Sequence, residues 1–136
     1  MAVSCVVDAG FLIAVLSRRD LHHRWALAQS AQMPPPWKTC DAALSEAFSL
    51  LGSPGRSALI ALLRRGAVAS DFGFAAEMRR VLDLMDRYRS VPMSMADACL
   101  VRMSETLTDT LVLTTDTDFR IYRRYGRQVV PCVLPG

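Results

Sequence analysis

A chain of 136 residues with 51% hydrophobic and 21% charged residues has the size of one globular domain over 1–136 and is too short for two; seven glycines and seven prolines without a low-complexity tract exclude disordered and repeat architectures. The net charge is only +3, but fifteen of the sixteen bases are arginines, whose planar fork suits phosphate contacts and which a GC-rich coding sequence also favours. Four cysteines at 5, 40, 99 and 132 lie far apart in apolar surroundings, without a C-x-x-C pair and with only His22 and His23 as imidazoles, which argues against a zinc site and suits free thiols in a reducing cytoplasm.

The β-branched run at 4–7, ending at Asp8, predicts a buried strand. The apolar stretch after it has no basic flank before it, meets Arg18 and Arg19 after it, and falls far short of the ~20 residues of a membrane helix. It is expected to be a short helix over 11–16 in a soluble, unprocessed protein. A second helix over 21–32 stops at Pro34-Pro35-Pro36, before a brief strand at 37–40. Leu44, Phe48 and Leu51 mark a helix over 41–51; Gly52-Ser53-Pro54-Gly55 reads as a break, followed by a helix over 57–65 that ends at Gly66. After a minor strand at 67–70 comes an arginine-rich amphipathic helix over 75–88, with Met78, Leu82 and Met85 on its apolar side and Val91-Pro92 ending it. The S-x-x-D box from Ser94 to Asp97 opens a helix to about 107. A strand at 111–113, a short helix at 119–125 closed by Gly126, and a strand at 129–133 complete the chain. Strands alternating with helices imply a three-layer α/β/α sandwich around a parallel sheet. Met93, Met95, Met103, Phe72 and Phe74 are expected in core or dimer-interface packing.

Open parallel sheets bind ligands beyond the carboxyl ends of their strands. Asp8, Asp116 and Asp118 stand at two such ends, where a single aspartate would be an ordinary helix N-cap. Glu46 has Ala42 and Ala43 one turn before it and Ser49 and Leu50 one turn after, which sets its carboxylate beside an apolar stripe. Asp97 lies in the first turn of its helix, where the capping box alone would account for it. No lysine lies close in sequence to neutralise these acids. Hard oxygen donors without thiolate or imidazole point to Mg²⁺ or Mn²⁺ rather than Zn²⁺, and such a site acts on a phosphodiester without a side-chain nucleophile. His22 and His23 are expected at the exposed start of a helix. Arg120, Arg123, Arg124 and Arg127 follow the last acids and are expected to flank the site as a phosphate-binding rim, whereas Arg102 is expected at the surface.

The segments Val6-Val7-Asp8, Ser45-Glu46-Ala47, Met95-Ala96-Asp97-Ala98 and Leu113-Thr114-Thr115-Asp116-Thr117-Asp118-Phe119 resemble, in order and separation, the four motifs of PIN-domain nucleases. The resemblance spans nearly the whole chain, and the length most resembles the toxin subunits of VapBC toxin–antitoxin pairs. It implies a sheet in order 3-2-1-4-5, metal-dependent cleavage of RNA leaving a 5′-phosphate and a 3′-hydroxyl, a cytoplasmic homodimer, and a small antitoxin that fills the groove. It assigns Asp8, Glu46, Asp97 and Asp116 as an acidic quartet, Asp118 as an accessory ligand and Thr115 as a supporting hydrogen-bonding group. The chain departs from the family at Ala9-Gly10, where a hydroxyl or amide residue often follows the first aspartate, and at Arg102, where small apolar residues are usual. Two further readings compete: a PIN-like module that binds RNA or a partner without cutting, and a glycosyltransferase using Asp116-Thr117-Asp118 as its D-x-D metal motif. A phosphotransfer receiver domain would need a lysine after a late strand, and Lys38 is the only lysine.

Overall fold

The computed structural model describes residues 3–136. In chain order the elements are β1 (Ser4–Val7), α1 (Ala9–Leu16), α2 (His23–Gln32), β2 (Trp37–Lys38), α3 (Asp41–Leu50), α4 (Ser53–Arg64), β3 (Val68–Ala69), α5 (Phe74–Arg87), α6 (Met95–Thr106) and β4 (Thr110–Leu113). A 3₁₀ turn (Thr117–Arg120), β5 (Arg123–Arg124), β6 (Gln128–Val129) and β7 (Cys132–Val133) follow. Five strands form a parallel sheet in the order β3-β2-β1-β4-β7, and β5 pairs antiparallel with β6 in a separate ribbon. The expected order holds, with the fifth sheet strand displaced to seventh in the chain by the ribbon.

Side chains alternate across a strand, so the central strands feed two cores. Val6 and Val112 point into one, beneath α5 and α6, with Val81, Leu100, Met103, Phe119 and Tyr122. Cys5, Val7 and Leu113 point into the other, with Phe11 and Leu12 of α1, Leu59 of α4 and Trp37. Phe11 packs edge-on against Trp25 and Trp37, at 5.9 and 5.3 Å between ring centroids. Helix α3 serves both cores, giving Ala43 to one and Ala47 to the other. Three layers result, as the alternation of elements predicts. Met93 and Met103 are core residues, Phe72 and Phe74 lean on that core, and Met95 is exposed.

Several boundaries need correcting. Helix α4 starts at Ser53, because Pro54 falls in the first turn, where its missing N–H has no intrahelical partner to lose. Helix α1 starts at Ala9, directly after its cap. The expected helix over 119–125 is replaced by the 3₁₀ turn and the ribbon, whose turn places Tyr125 and Gly126 at φ 54° and 78°. The expected strand at 129–133 is split at Pro131 between the ribbon and the sheet, and the Pro131 carbonyl accepts from Val112 N at 2.9 Å.

Candidate active site

Strands β1 and β4 pair in register, Val7 beside Leu113, so the residues that leave them at the carboxyl edge are neighbours. Asp8 N donates to the Leu113 carbonyl at 3.3 Å. The Asp8 side chain is buried and committed on both oxygens: Oδ1 caps α1 by accepting from Phe11 N at 2.8 Å, and Oδ2 accepts from the Thr114 hydroxyl. The same Thr114 Oγ1 accepts from Asp116 N at 2.9 Å. Asp116 in turn caps the 3₁₀ turn through Oδ1, which accepts from Asp118 N at 2.9 Å. One hydroxyl thus orients two aspartates.

Asp97 stands in the first turn of α6, where Ser94 Oγ accepts from its backbone N–H at 3.0 Å. That leaves the carboxylate free to face the sheet edge, where Tyr122 donates its hydroxyl to Oδ2 at 2.9 Å. Glu46 projects from the middle of α3 and is exposed, so the expectation of a carboxylate held beside an apolar stripe is corrected. A pocket of about 200 Å³ gathers Asp8, Glu46, Asp97 and Asp116 with Gly10 and Thr115. Asp118 is half-buried and does not line it.

Burial pushes the Asp8 carboxyl up to about 7; the hydrogen bonds from Thr114 and Phe11 oppose this, and Asp97 and Asp116 add to it. Burial likewise pushes Asp97 up to about 6 against the Tyr122 hydrogen bond, with Asp116 adding to the rise, the Ser94 hydrogen bond opposing it and Glu46 adding to it. The Tyr122 hydroxyl is itself raised, by burial and then by Asp97. Among the described residues the ion pairs are those of Arg102 with Glu77 and Glu105, at 3.2 and 3.1 Å, so no basic side chain neutralises the pocket. Also among the described residues, no three acidic, histidine or cysteine side chains stand close enough together, as placed, to hold a metal ion. Crowded hard oxygens without a counter-charge fit a divalent cation of the Mg²⁺ or Mn²⁺ type.

Thr114 and Tyr122 hold the site and escape sequence reading, Thr114 because nothing local distinguishes it from Thr115 and Tyr122 because it lies 25 residues from Asp97. Gly10 has a positive role: a Cβ there would run into Thr115 Oγ1. The polar support missing after Asp8 is supplied across the sheet by Thr114.

His22 and His23 are half-buried at the start of α2, and His23 Nδ1 lies 2.6 Å from the Ala14 carbonyl oxygen. Arg102 is drawn in between α5 and α6 by its two glutamates. Arg120 and Arg127 are exposed. Arg123 donates to the Arg120, Ile121 and Tyr122 carbonyls and Arg124 to the Ser104 carbonyl, so both guanidinium groups fasten the ribbon.

Comparison with known proteins bears on the family and the fold. The model of the PIN domain family matches residues 5–125. The fold is similar to that of VapC20 of Mycobacterium tuberculosis, a toxin that cleaves the sarcin-ricin loop, with a TM-score of 0.74 and 22% identity over 85% of this chain and 92% of that one. No curated protein sequence matches the chain.

Proposed function

We propose, from the premise that this chain belongs to the PIN-domain family, that it is a metal-dependent endoribonuclease, the toxin of a VapBC-type pair. The observation that carries this reading is the convergence of Asp8, Glu46, Asp97 and Asp116, from four separate segments, on one small pocket at the carboxyl edge of the sheet. The fold shared with a toxin that cuts RNA supports it.

Asp8, Glu46, Asp97 and Asp116 would hold Mg²⁺ or Mn²⁺, and Asp118, outside the lining, would add negative charge beside the pocket rather than a direct ligand. The bound cation supplies neutralising charge, polarisation of water and stabilisation of the charge that develops on a phosphodiester. The chain's own part is to place acceptors and keep them in place. Thr114 fixes the Asp8 carboxylate and the Asp116 backbone together, and Tyr122 turns the Asp97 carboxylate toward the pocket. Thr115, packed over Gly10, offers a hydroxyl at the pocket wall. Exposed Arg120 and Arg127 attract the RNA backbone, with Arg123 and Arg124 behind them. Expected partners are RNA, a small antitoxin protein and a second copy of the chain, and the setting that goes with such partners is the cytoplasm. Among the described residues no helix is long and apolar enough to cross a membrane.

The test is cleavage of a mixed structured RNA by the purified protein with Mg²⁺ or Mn²⁺, with EDTA and Asp8→Asn as controls. Cutting that is lost in both controls is expected. Cutting that survives EDTA, or an RNA-binding protein that never cuts across varied RNAs, would overturn the nuclease reading in favour of another chemistry or a binding module.

A further inference from the structure

We infer that the pocket of about 400 Å³ between α5 and the turn of the β5–β6 ribbon is a second RNA subsite, which takes one unpaired nucleotide of the strand engaged at the acidic pocket. The inference rests on the ribonuclease reading and extends it to a place that shares no lining residue with the acidic pocket.

The two pockets are joined by a track. The segment from Asp116 to Gly126 runs beside α6 and is pinned to it at intervals: Tyr122 to the Asp97 carboxylate at 2.9 Å, Arg124 to the Ser104 carbonyl at 3.2 Å, and Tyr125 to Glu105. Asp97 and Glu105 are eight helical residues apart, about 12 Å along the axis, which a strand of a few nucleotides spans. Arg120, Arg123 and Arg124 lie on the segment between the two ends.

The far end of the track has the groups a nucleotide needs. Tyr125 is 54% exposed although both its polar ends are engaged, the backbone N–H with Glu105 Oε2 and the hydroxyl with the Glu105 carbonyl, each at 2.6 Å. The Arg124 guanidinium lies over one face of the ring, 5.6 Å from the centroid, so what remains to offer is the other face of a rigidly held ring. Base stacking on such a ring tolerates any sequence. Arg80 and Arg87, two turns apart on α5, are exposed and outside any ion pair among the described residues. Arg87 reaches across to the ribbon turn, where a Cβ on Gly126 would stand 2.8 Å from its Nη1. These are two free guanidinium groups for a phosphate. Glu105 is spent on Arg102 and Tyr125, and exposed Asp83 is left as an acceptor for a base N–H. Leu84 is the one aliphatic side chain in the lining, which suits a nucleotide better than the apolar face of a partner helix.

The test is anisotropy and cross-linking with a labelled 14-nucleotide mixed-sequence single-stranded RNA that contains 5-iodouridine, on an Asp97→Asn background that prevents cutting. Arg80→Gln with Arg87→Gln, both at exposed helix positions that spare the fold, is expected to weaken binding roughly tenfold and to lower the salt slope by about 0.7 for each phosphate no longer neutralised. Tyr125→Leu is expected to weaken binding about tenfold, Tyr125→Phe to retain it, and the cross-link to map to Tyr125. Parental affinity and salt slope in the double arginine variant would overturn the subsite and leave the nuclease reading standing. The same result with lost binding of a polyglutamate peptide would reassign the pocket to an acidic protein partner. A parent protein that neither binds nor cuts RNA would overturn both readings.

Discussion

Thr114 shows how much of the site depends on one uncharged atom. Its hydroxyl donates to Asp8 and accepts from the Asp116 backbone, so it locks together residues that lie 108 positions apart in the chain. Thr114→Val removes both bonds in a fully buried place and is expected to lower stability by about 1–3 kcal/mol in urea unfolding and to reduce RNA cleavage at least tenfold. Thr114→Ser should restore most of both; if Val works as well as Thr, the hydroxyl is not what orients the aspartates. The acids themselves were legible in the sequence because charge next to an apolar strand or within a capping box is visible in one dimension. Their supports were not, because threonine and tyrosine are ordinary residues until the fold brings them against a carboxylate. Glu46 marks the limit from the other side: helical spacing placed it beside alanines, yet α3 turns it outward at the pocket rim.

At the scale of elements, the layer count was legible because strands and helices alternate along the chain, whereas the strand order came from the family resemblance, since apolar runs mark strands without saying which of them pair. The ribbon was not legible. Residues 119–125 carry no Gly or Pro, so local preference reads them as a helix up to Gly126, but contacts distant in sequence overrule it. Glu105 of α6 accepts from Tyr125 N and holds Arg102, and the Tyr125 hydroxyl closes on the same residue's carbonyl. The turn of the ribbon is therefore docked on α6 through Glu105, alongside the bond from Arg124 to the Ser104 carbonyl. Arg102→Met leaves Glu77 and Glu105 unpaired in a largely buried setting and is expected to destabilise the protein by about 2–3 kcal/mol. Hydrogen exchange at the Tyr125 amide should accelerate more than at Val112 in the sheet; equal acceleration would show that the ribbon is not fastened in this way.

For the whole molecule, the burial of pocket carboxylates, with their mutual repulsion added to it, sets a dependence on pH and metal. Asp8 and Asp97 hold protons in the folded state up to about 7 and about 6, whereas the unfolded chain releases them near 3.8. The native state thus binds more protons between these values, and their contribution to the stability of the metal-free protein falls as pH rises from about 4 to 7. Urea unfolding in EDTA is expected to show about 1 kcal/mol or more less stability at pH 8 than at pH 5. Asp97→Asn should reduce that loss while abolishing cleavage, and Mg²⁺ at pH 8 should reverse it in the parent only. A flat profile would mean that the folded pocket does not raise these carboxyls above their ordinary range. Outside the pocket the surface is basic, and Arg120→Gln with Arg127→Gln is expected to flatten the salt dependence of RNA binding by about 0.7 for each phosphate released from an arginine; an unchanged slope would remove both from the interface.

The place of β7 at the edge of the sheet carries a consequence for local opening. This strand closes the free side of β4, with Leu113 paired to Val133 and Thr114 N donating to the Val133 carbonyl at 3.2 Å. Thr114 is therefore fastened on one side by β1, through Asp8, and on the other by the edge of the sheet. Two aspartates of the pocket thus rest, through one threonine, on an edge strand of two residues, and fraying of that strand is expected to loosen the pair before the centre of the sheet opens.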